Sequence, residues 1–328
     1  MNPLALAGFQ SAADRWASLL VDAVTVNINV NFTTLGAGIL GQSSQTNSTF
    51  NYGTVRSAMM GDANSTYDLT AVGSLPISSL PLYINGTSNN PNGSGSLTPY
   101  LDNNGSTNNT TVRITTANQK ALGLLAANAA GTDASITFNS GFSFDFNPAD
   151  GIAAGQYDFI GIAAHEIGHA LGFESGVDIL DTNMPPNNGP FAADQFTYVS
   201  RLDLFRFSAG SIAALPGARD WSADTRVKYF SIDGGSTLIT QFATGQIHGD
   251  SRQASHWKDN LGIGIMDPTV APSEFLSISV LDTQGMDVIG WDLADAPETG
   301  RMALCTTTMV FMLCRRKKQP EGRTAPLS

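Results

Sequence analysis

The segment Ala164-His165-Glu166-Ile167-Gly168-His169-Ala170-Leu171-Gly172-Phe173 constrains this chain more than any other. On an α-helix, residues four apart share a face, so His165 and His169 can offer their imidazoles to one metal ion. Glu166, beside the first of them, can take a proton from a water activated at that ion. Ile167, Ala170 and Leu171 fall on the other faces, as a buried active-site helix requires. Residues 157–164 continue the helical pattern upstream, so the motif lies inside an element. Gly172 stands where a left-handed residue ends a helix and lets the chain turn away. The chain has four His in all, and two are used at this spacing.

A catalytic zinc site normally has a third protein ligand. In the most compact zinc-protease spacing it lies six residues after the second His, but Ser175 occupies that position and is a poor ligand. A Glu on a following helix is the other common solution, yet no Glu occurs between Glu174 and Glu274. Asp178 and Asp181 belong to no helical partner motif. Two candidates remain on the residues alone, His248 in Gln246-Ile247-His248-Gly249-Asp250 and His256 in Ala254-Ser255-His256-Trp257.

His256 is followed by Gly262-Ile263-Gly264-Ile265-Met266-Asp267-Pro268-Thr269. Ser255-His256-Trp257 with Met266 ten residues after the His resembles the leishmanolysin-like metzincin zinc metalloproteases. In that family a long insertion separates the second and third ligands, and a turn carrying a buried Met follows. Residues 278–291, ending Ile289-Gly290-Trp291, are similar to the closing helix of bacterial metzincin-type proteases. The resemblance rests on these short segments and on residues 164–173.

The resemblance implies an α+β fold in two lobes. Residues 1–172 would form an upper lobe with a mixed sheet and the zinc helix, and 173–296 a lower lobe with the third ligand and the Met-turn. It implies one zinc ion on His165, His169 and His256, with Glu166 as general base. The activity it implies is that of a metalloendopeptidase acting on a protein or peptide substrate. The last strand before the zinc helix would edge the cleft and pair with extended substrate. His248, beside Gly249, would then lie in a loop crossing the surface. No Tyr follows Met266 to stabilise an oxyanion.

Charge excludes one class of function. Hydrophobic residues make up 42% and charged residues 14%, which suits a folded body. Residues 296–328 hold six of the 17 Lys and Arg and two of the 28 Asp and Glu, leaving 11 basic against 26 acidic up to Asp295. Such a body lacks the basic face that nucleic acid needs. Both cysteines, Cys305 and Cys314, lie after it, so it has neither disulfides nor a thiolate ligand.

The two ends point to export. Asp295-Ala296-Pro297-Glu298-Thr299-Gly300 precedes an uncharged stretch over 302–314 and then Arg315-Arg316-Lys317-Lys318. This resembles the bacterial PEP-CTERM sorting signal, with one Pro-Glu in place of Pro-Glu-Pro and ten residues beyond the basic cluster. It implies that 297–328 engages a membrane sorting machinery and is removed. The apolar stretch is shorter than the ~20 residues of an ordinary spanning helix. At the amino end Phe9, Ala12, Trp16, Leu19 and Leu20 mark an amphipathic helix over 7–20 rather than a leader. An extracytoplasmic protein with a signal peptide upstream of Met1 is the expectation.

Between the ends, residues 24–32 alternate as a half-buried strand. Residues 52–60 read as a helix, 112–115 as a strand and 117–127 as a helix. Residues 135–138 and 142–146 read as a hairpin ahead of the zinc helix, and 227–230 and 238–240 as strands. Residues 84–111, crowded with Asn, Gly, Ser and Thr, read as a long surface loop or a hairpin region. Asp145-Phe146-Asn147-Pro148-Ala149-Asp150-Gly151 suits either a plain turn or a calcium loop. The competing class of function is a cell-surface or matrix structural protein with a vestigial zinc site.

Overall fold

Amphipathic patterning at the amino end produces α1 (Pro3–Ala17), whose Ala5, Gly8, Ala12 and Trp16 are buried. The chain continues through β1 (Ile28–Thr33), β2 (Gly41–Gln45), β3 (Asn47–Asn51), α2 (Tyr52–Asp62) and α3 (Thr66–Gly73). Next come β4 (Leu82–Ile84), β5 (Tyr100–Asp102), α4 (Thr107–Thr110), β6 (Thr111–Thr115), α5 (Thr116–Ala121) and β7 (Ala134–Asn139). The short β8 (Phe144–Asp145) and β9 (Tyr157–Asp158) lead into α6 (Phe159–Ala170), which carries both motif histidines. After it lie α7 (Val177–Asn183), β10 (Arg206–Phe207), α8 (Ala209–Ala214), β11 (Arg219–Asp220), β12 (Lys228–Phe230), β13 (Thr240–Phe242) and α9 (Val280–Val288). The computed structural model describes residues 3–294, which belong to one unit, and the sorting-like tail lies outside the described residues. Among the described residues no helix is long and apolar enough to cross a membrane.

The architecture is mixed α+β, built from sheets of two or three strands with no barrel. In the sheet that supports α6 the order is β1-β7-β2. β7 lies at its centre, parallel to β1 (Val30 opposite Ile136) and antiparallel to β2 (Ser43 opposite Ile136). Ile136 and Phe138 on β7 are fully buried, and the Phe138 ring lies 4.7 Å from that of Phe159 at the start of α6, the two planes tilted by 55°. α1 packs against α6 and reaches the same sheet, its Phe9 ring 6.3 Å from Phe138. Gly8 permits the contact, since a Cβ there would meet the Phe159 ring at 2.7 Å. Trp16 Nε1 donates to the Ala164 carbonyl at 2.7 Å.

Several expected elements differ, each for a physical reason. The hairpin over 135–146 does not form, because β7 already has a partner on each edge, so β8 pairs with β9 instead. The ladder of β1 begins at Ile28, since residues before it bond outside the sheet, Thr25 N to Ala127. α5 stops at Ala121, just before Gly123 takes a φ of +65°. α6 starts at Phe159 because Asp158 caps it, its carboxylate accepting from Gly161 N at 2.9 Å. Of the two readings of the Asn-rich stretch the hairpin holds: β4 pairs antiparallel with β5 across it, α4 follows, and Asn85, Asn108 and Asn109 are fully buried. Asn85 donates to the Ala223 carbonyl and Asn109 to that of Leu80, so side-chain amides replace absent ladder bonds.

Candidate metal centre

α6 carries His165 and His169 on one face, and the strand-and-turn segment after β13 brings His256 opposite them. His165 Nδ1 donates to the Ile265 carbonyl at 2.7 Å and His169 Nδ1 to the Phe173 carbonyl at 2.7 Å. His256 Nδ1 donates to the Gln253 carbonyl at 3.2 Å. A carbonyl only accepts, so each ring carries its proton on Nδ1. Burial holds all three imidazoles below their usual range, His169 at about 3, with the neighbouring rings adding to the effect for His169 and His256. Each neutral ring therefore presents a bare Nε2 lone pair.

The three Nε2 atoms lie 3.1, 3.2 and 3.3 Å from one another. With no proton left to share between them, three facing lone pairs repel. A cation at their centre converts that repulsion into three bonds, and the carbonyl partners fix ring orientation as metal-site histidines require. Among the described residues these histidines form a group close enough to hold a metal ion. The donor set therefore fits a divalent cation.

Two aspartates not singled out as site residues build the support for this trio. Asp178 on α7 accepts from Ala254 N at 2.6 Å, Ser255 N at 3.1 Å and Ser255 Oγ, which fixes the turn entering His256. Asp282 on α9 is fully buried and accepts from Ile265 N (2.8 Å), Met266 N (3.2 Å), Trp257 Nε1 (2.9 Å) and Ser279 N (2.7 Å). Gly264 lets that carboxylate in, because a Cβ there would lie 2.1 Å from Asp282 Oδ2. The signal for Asp282 is Ser279-Val280-Leu281-Asp282, a helix-capping pattern whose acid turns toward the Met266 turn as well.

Met266 is fully buried beneath α6. Its Sδ fills the space beside Gly168, where a Cβ would be 2.5 Å away, so the glycine inside the motif admits the methionine. Gly172 takes a φ of +110° and ends the helix as its position implies. Trp257 packs against Phe173, Phe242 and Phe230, with ring centroids 4.9, 5.0 and 5.5 Å away.

Glu166 is 6% exposed and has no hydrogen-bond partner among the described residues. Burial pushes its carboxyl up to about 8. Gly41 at the start of β2 lies against it, a Cβ there standing 2.8 Å from Oε1. Glu166 and the three histidines line one cleft of about 850 Å³. The cleft runs along residues 38–45, and β2 is the outer strand of its sheet. β2 thus edges the cleft along its length, and the last strand before α6, β9, adds Tyr157 to the lining.

The other sequence candidates lie elsewhere. His248 lies in the bend after β13 beside exposed Ile247, with its side chain turned inward: it is 8% exposed, its Nδ1 meets Asp181 at 2.9 Å and its Nε2 meets the Pro185 carbonyl at 2.9 Å. Ser175 is buried and donates to Asp203. In the loop after β8 both Asp145 oxygens accept backbone N–H groups, from Asn147 and Ala153 at 2.8 Å, which is the work of a turn.

Comparison of the chain with protein-family models, with curated proteins and with solved structures finds no match. What the centre can do is written in its own geometry: three neutral imidazoles converge on one point beside a buried carboxylate, in a cleft walled by an outer strand.

Proposed function

We propose that the protein is a zinc-dependent metalloendopeptidase of the leishmanolysin-like metzincin type. The observation that carries this reading is the convergence of three Nε2 lone pairs next to the partnerless carboxyl of Glu166 in an open cleft. Three imidazoles with a free fourth position are the donor set of catalytic rather than structural zinc. His165, His169 and His256 would hold the ion, and zinc, when bound, supplies Lewis acidity at the reacting carbonyl.

Glu166 does the proton work. One of its carboxylate oxygens takes a proton from the attacking water as the water oxygen bonds to the peptide carbonyl carbon. The same carboxyl then gives a proton to the leaving nitrogen as the C–N bond breaks. The free edge of β2 offers main-chain groups to an extended substrate, which orients the scissile bond across the cleft. The turn holding Met266 beneath the histidines supports the family resemblance, with Gly172 as the boundary between lobes 1–172 and 173–296. An extracytoplasmic location, with 297–328 as a sorting signal, belongs to the same reading.

Metal analysis of the purified protein and a casein-cleavage assay test it together. The expected result is one zinc per chain, with cleavage lost on chelation, restored by zinc and absent in Glu166→Gln. A chain that binds zinc yet cleaves nothing would instead be the structural protein with a vestigial site.

A further inference from the structure

At one end of the cleft a cation stands without a partner. Arg113 on β6 is half-buried and lines the cleft, its Cζ 5.1 Å from the centroid of the Tyr198 ring. Among the described residues its guanidinium makes no ion pair and no hydrogen bond. Arg252, the other arginine lining the cleft, is already paired with Asp259 at 2.8 Å. Beside Arg113 the wall also presents Asn47, whose Oδ1 is buried and without a partner.

A guanidinium held over an aromatic ring is pre-oriented, and its fork of N–H donors matches the two oxygens of a carboxylate. Glu174 lines the same wall without pairing with Arg113. Its carboxyl is pushed up to about 7, first by burial, with the charge of nearby Arg113 opposing the rise.

Topology fixes where a ligand of Arg113 would sit along the substrate. Glu166 touches Gly41 at the start of β2, whereas β3 follows directly after Gln45 and pairs with β6, placing Thr49 opposite Arg113. Gly41 and Gln45 are about 14 Å apart in an extended strand. A substrate added antiparallel to β2 runs from the Gln45 end toward Gly41, so its residues before the scissile bond face Arg113.

We propose that Arg113, held over the Tyr198 ring, is a specificity-determining residue that binds an acidic side chain of the substrate on the amino-terminal side of the scissile bond. This rests on the peptidase reading above, and it makes Asp- or Glu-containing segments the substrate class.

The test measures binding apart from cleavage. Fluorescent peptides differing only by Glu, Gln or Lys at each position before the scissile bond are titrated against zinc-loaded Glu166→Gln by anisotropy, and the same peptides are given to the unaltered protein for cleavage. The expected result is at least tenfold tighter binding of the Glu peptide at one such position, weakening as salt is raised. Arg113→Gln should erase the preference, Arg113→Glu should turn it toward Lys, and Arg113→Lys should keep part of it. Cleavage with no acidic preference, or a preference that survives Arg113→Gln in a variant with unchanged melting temperature, overturns the role of Arg113 and leaves the peptidase reading intact. Cleavage of none of the peptides, nor of casein, removes both.

Discussion

Asp282 and His165 are joined through one residue: Ile265 donates its N–H to the Asp282 carboxylate at 2.8 Å and accepts from His165 Nδ1 at 2.7 Å through its carbonyl. The orientation of the first histidine thus depends on a carboxylate 117 residues further along the chain, held on a helix outside the motif. Asp282→Ala leaves four N–H groups of this buried cluster without their acceptor. It should cost on the order of 3 kcal/mol or more in stability and lower metal affinity by about 10–100-fold. Denaturant unfolding of the metal-free protein and competition titration with a chelator measure the two effects separately.

Gly168 and Met266 form a second tight pair. Gly168→Ala puts a methyl 2.5 Å from the Met266 Sδ and 3.4 Å from the Trp16 ring. The overpacking should destabilise by about 1–3 kcal/mol. Combining it with Met266→Ala should cost less than the sum of the two single changes, because the clash has been removed. A strictly additive cycle would show that the two residues do not share this space.

Much of the candidate metal centre was legible in the sequence because its signals are local. The i, i+4 histidines and the terminating glycine specify α6 without help from the rest of the chain. His256 stands 87 residues from His169, and the spacing alone left it level with His248. What could not be read depends on tertiary pairing. Gly41-Gln42-Ser43-Ser44-Gln45 has no β-branched or aromatic residue, yet it forms the strand that walls the cleft. The alternation of residues 135–138 and 142–146 suited a hairpin equally well, and only the partners on both edges of β7 decided against it. Burial of Asn85 and Asn109 was hidden for the same reason, since their acceptors at Ala223 and Leu80 lie outside the stretch.

The acidic groups where α2, α3 and α9 meet should make stability depend on pH. Asp62 and Asp68 are both pushed up to about 7, first by burial. Asp292 and Asp22 add to the effect at Asp62, and Asp287 and Asp62 at Asp68. In the unfolded chain these groups titrate near 3.8, so the folded state holds their protons more tightly. The stability this contributes is full below about pH 4 and is lost as pH rises through about 7. Asp68→Asn should therefore melt above the unaltered protein at pH 8 and converge with it at pH 4. An equal shift at both values would assign the effect to packing rather than charge.

His248 and His256 should separate cleanly on substitution. His256→Ala leaves two of the three imidazoles and should lower zinc affinity by orders of magnitude. His248→Ala should leave zinc binding unchanged and lower stability by about 1–3 kcal/mol, because Asp181 and the Pro185 carbonyl lose their shared donor. Isothermal titration and thermal unfolding of the two variants give the comparison, and an exchange of the two outcomes would remove His256 from the site.

Zinc K-edge X-ray absorption on the zinc-loaded Glu166→Gln protein measures the coordination shell directly. Three imidazole nitrogens at about 2.0–2.1 Å, completed by a light-atom ligand, are the predicted shell, and His256→Ala should reduce the imidazole count to two. A shell of oxygens alone, or one with three imidazoles that persists in His256→Ala, would contradict the convergence of His165, His169 and His256 on a single metal.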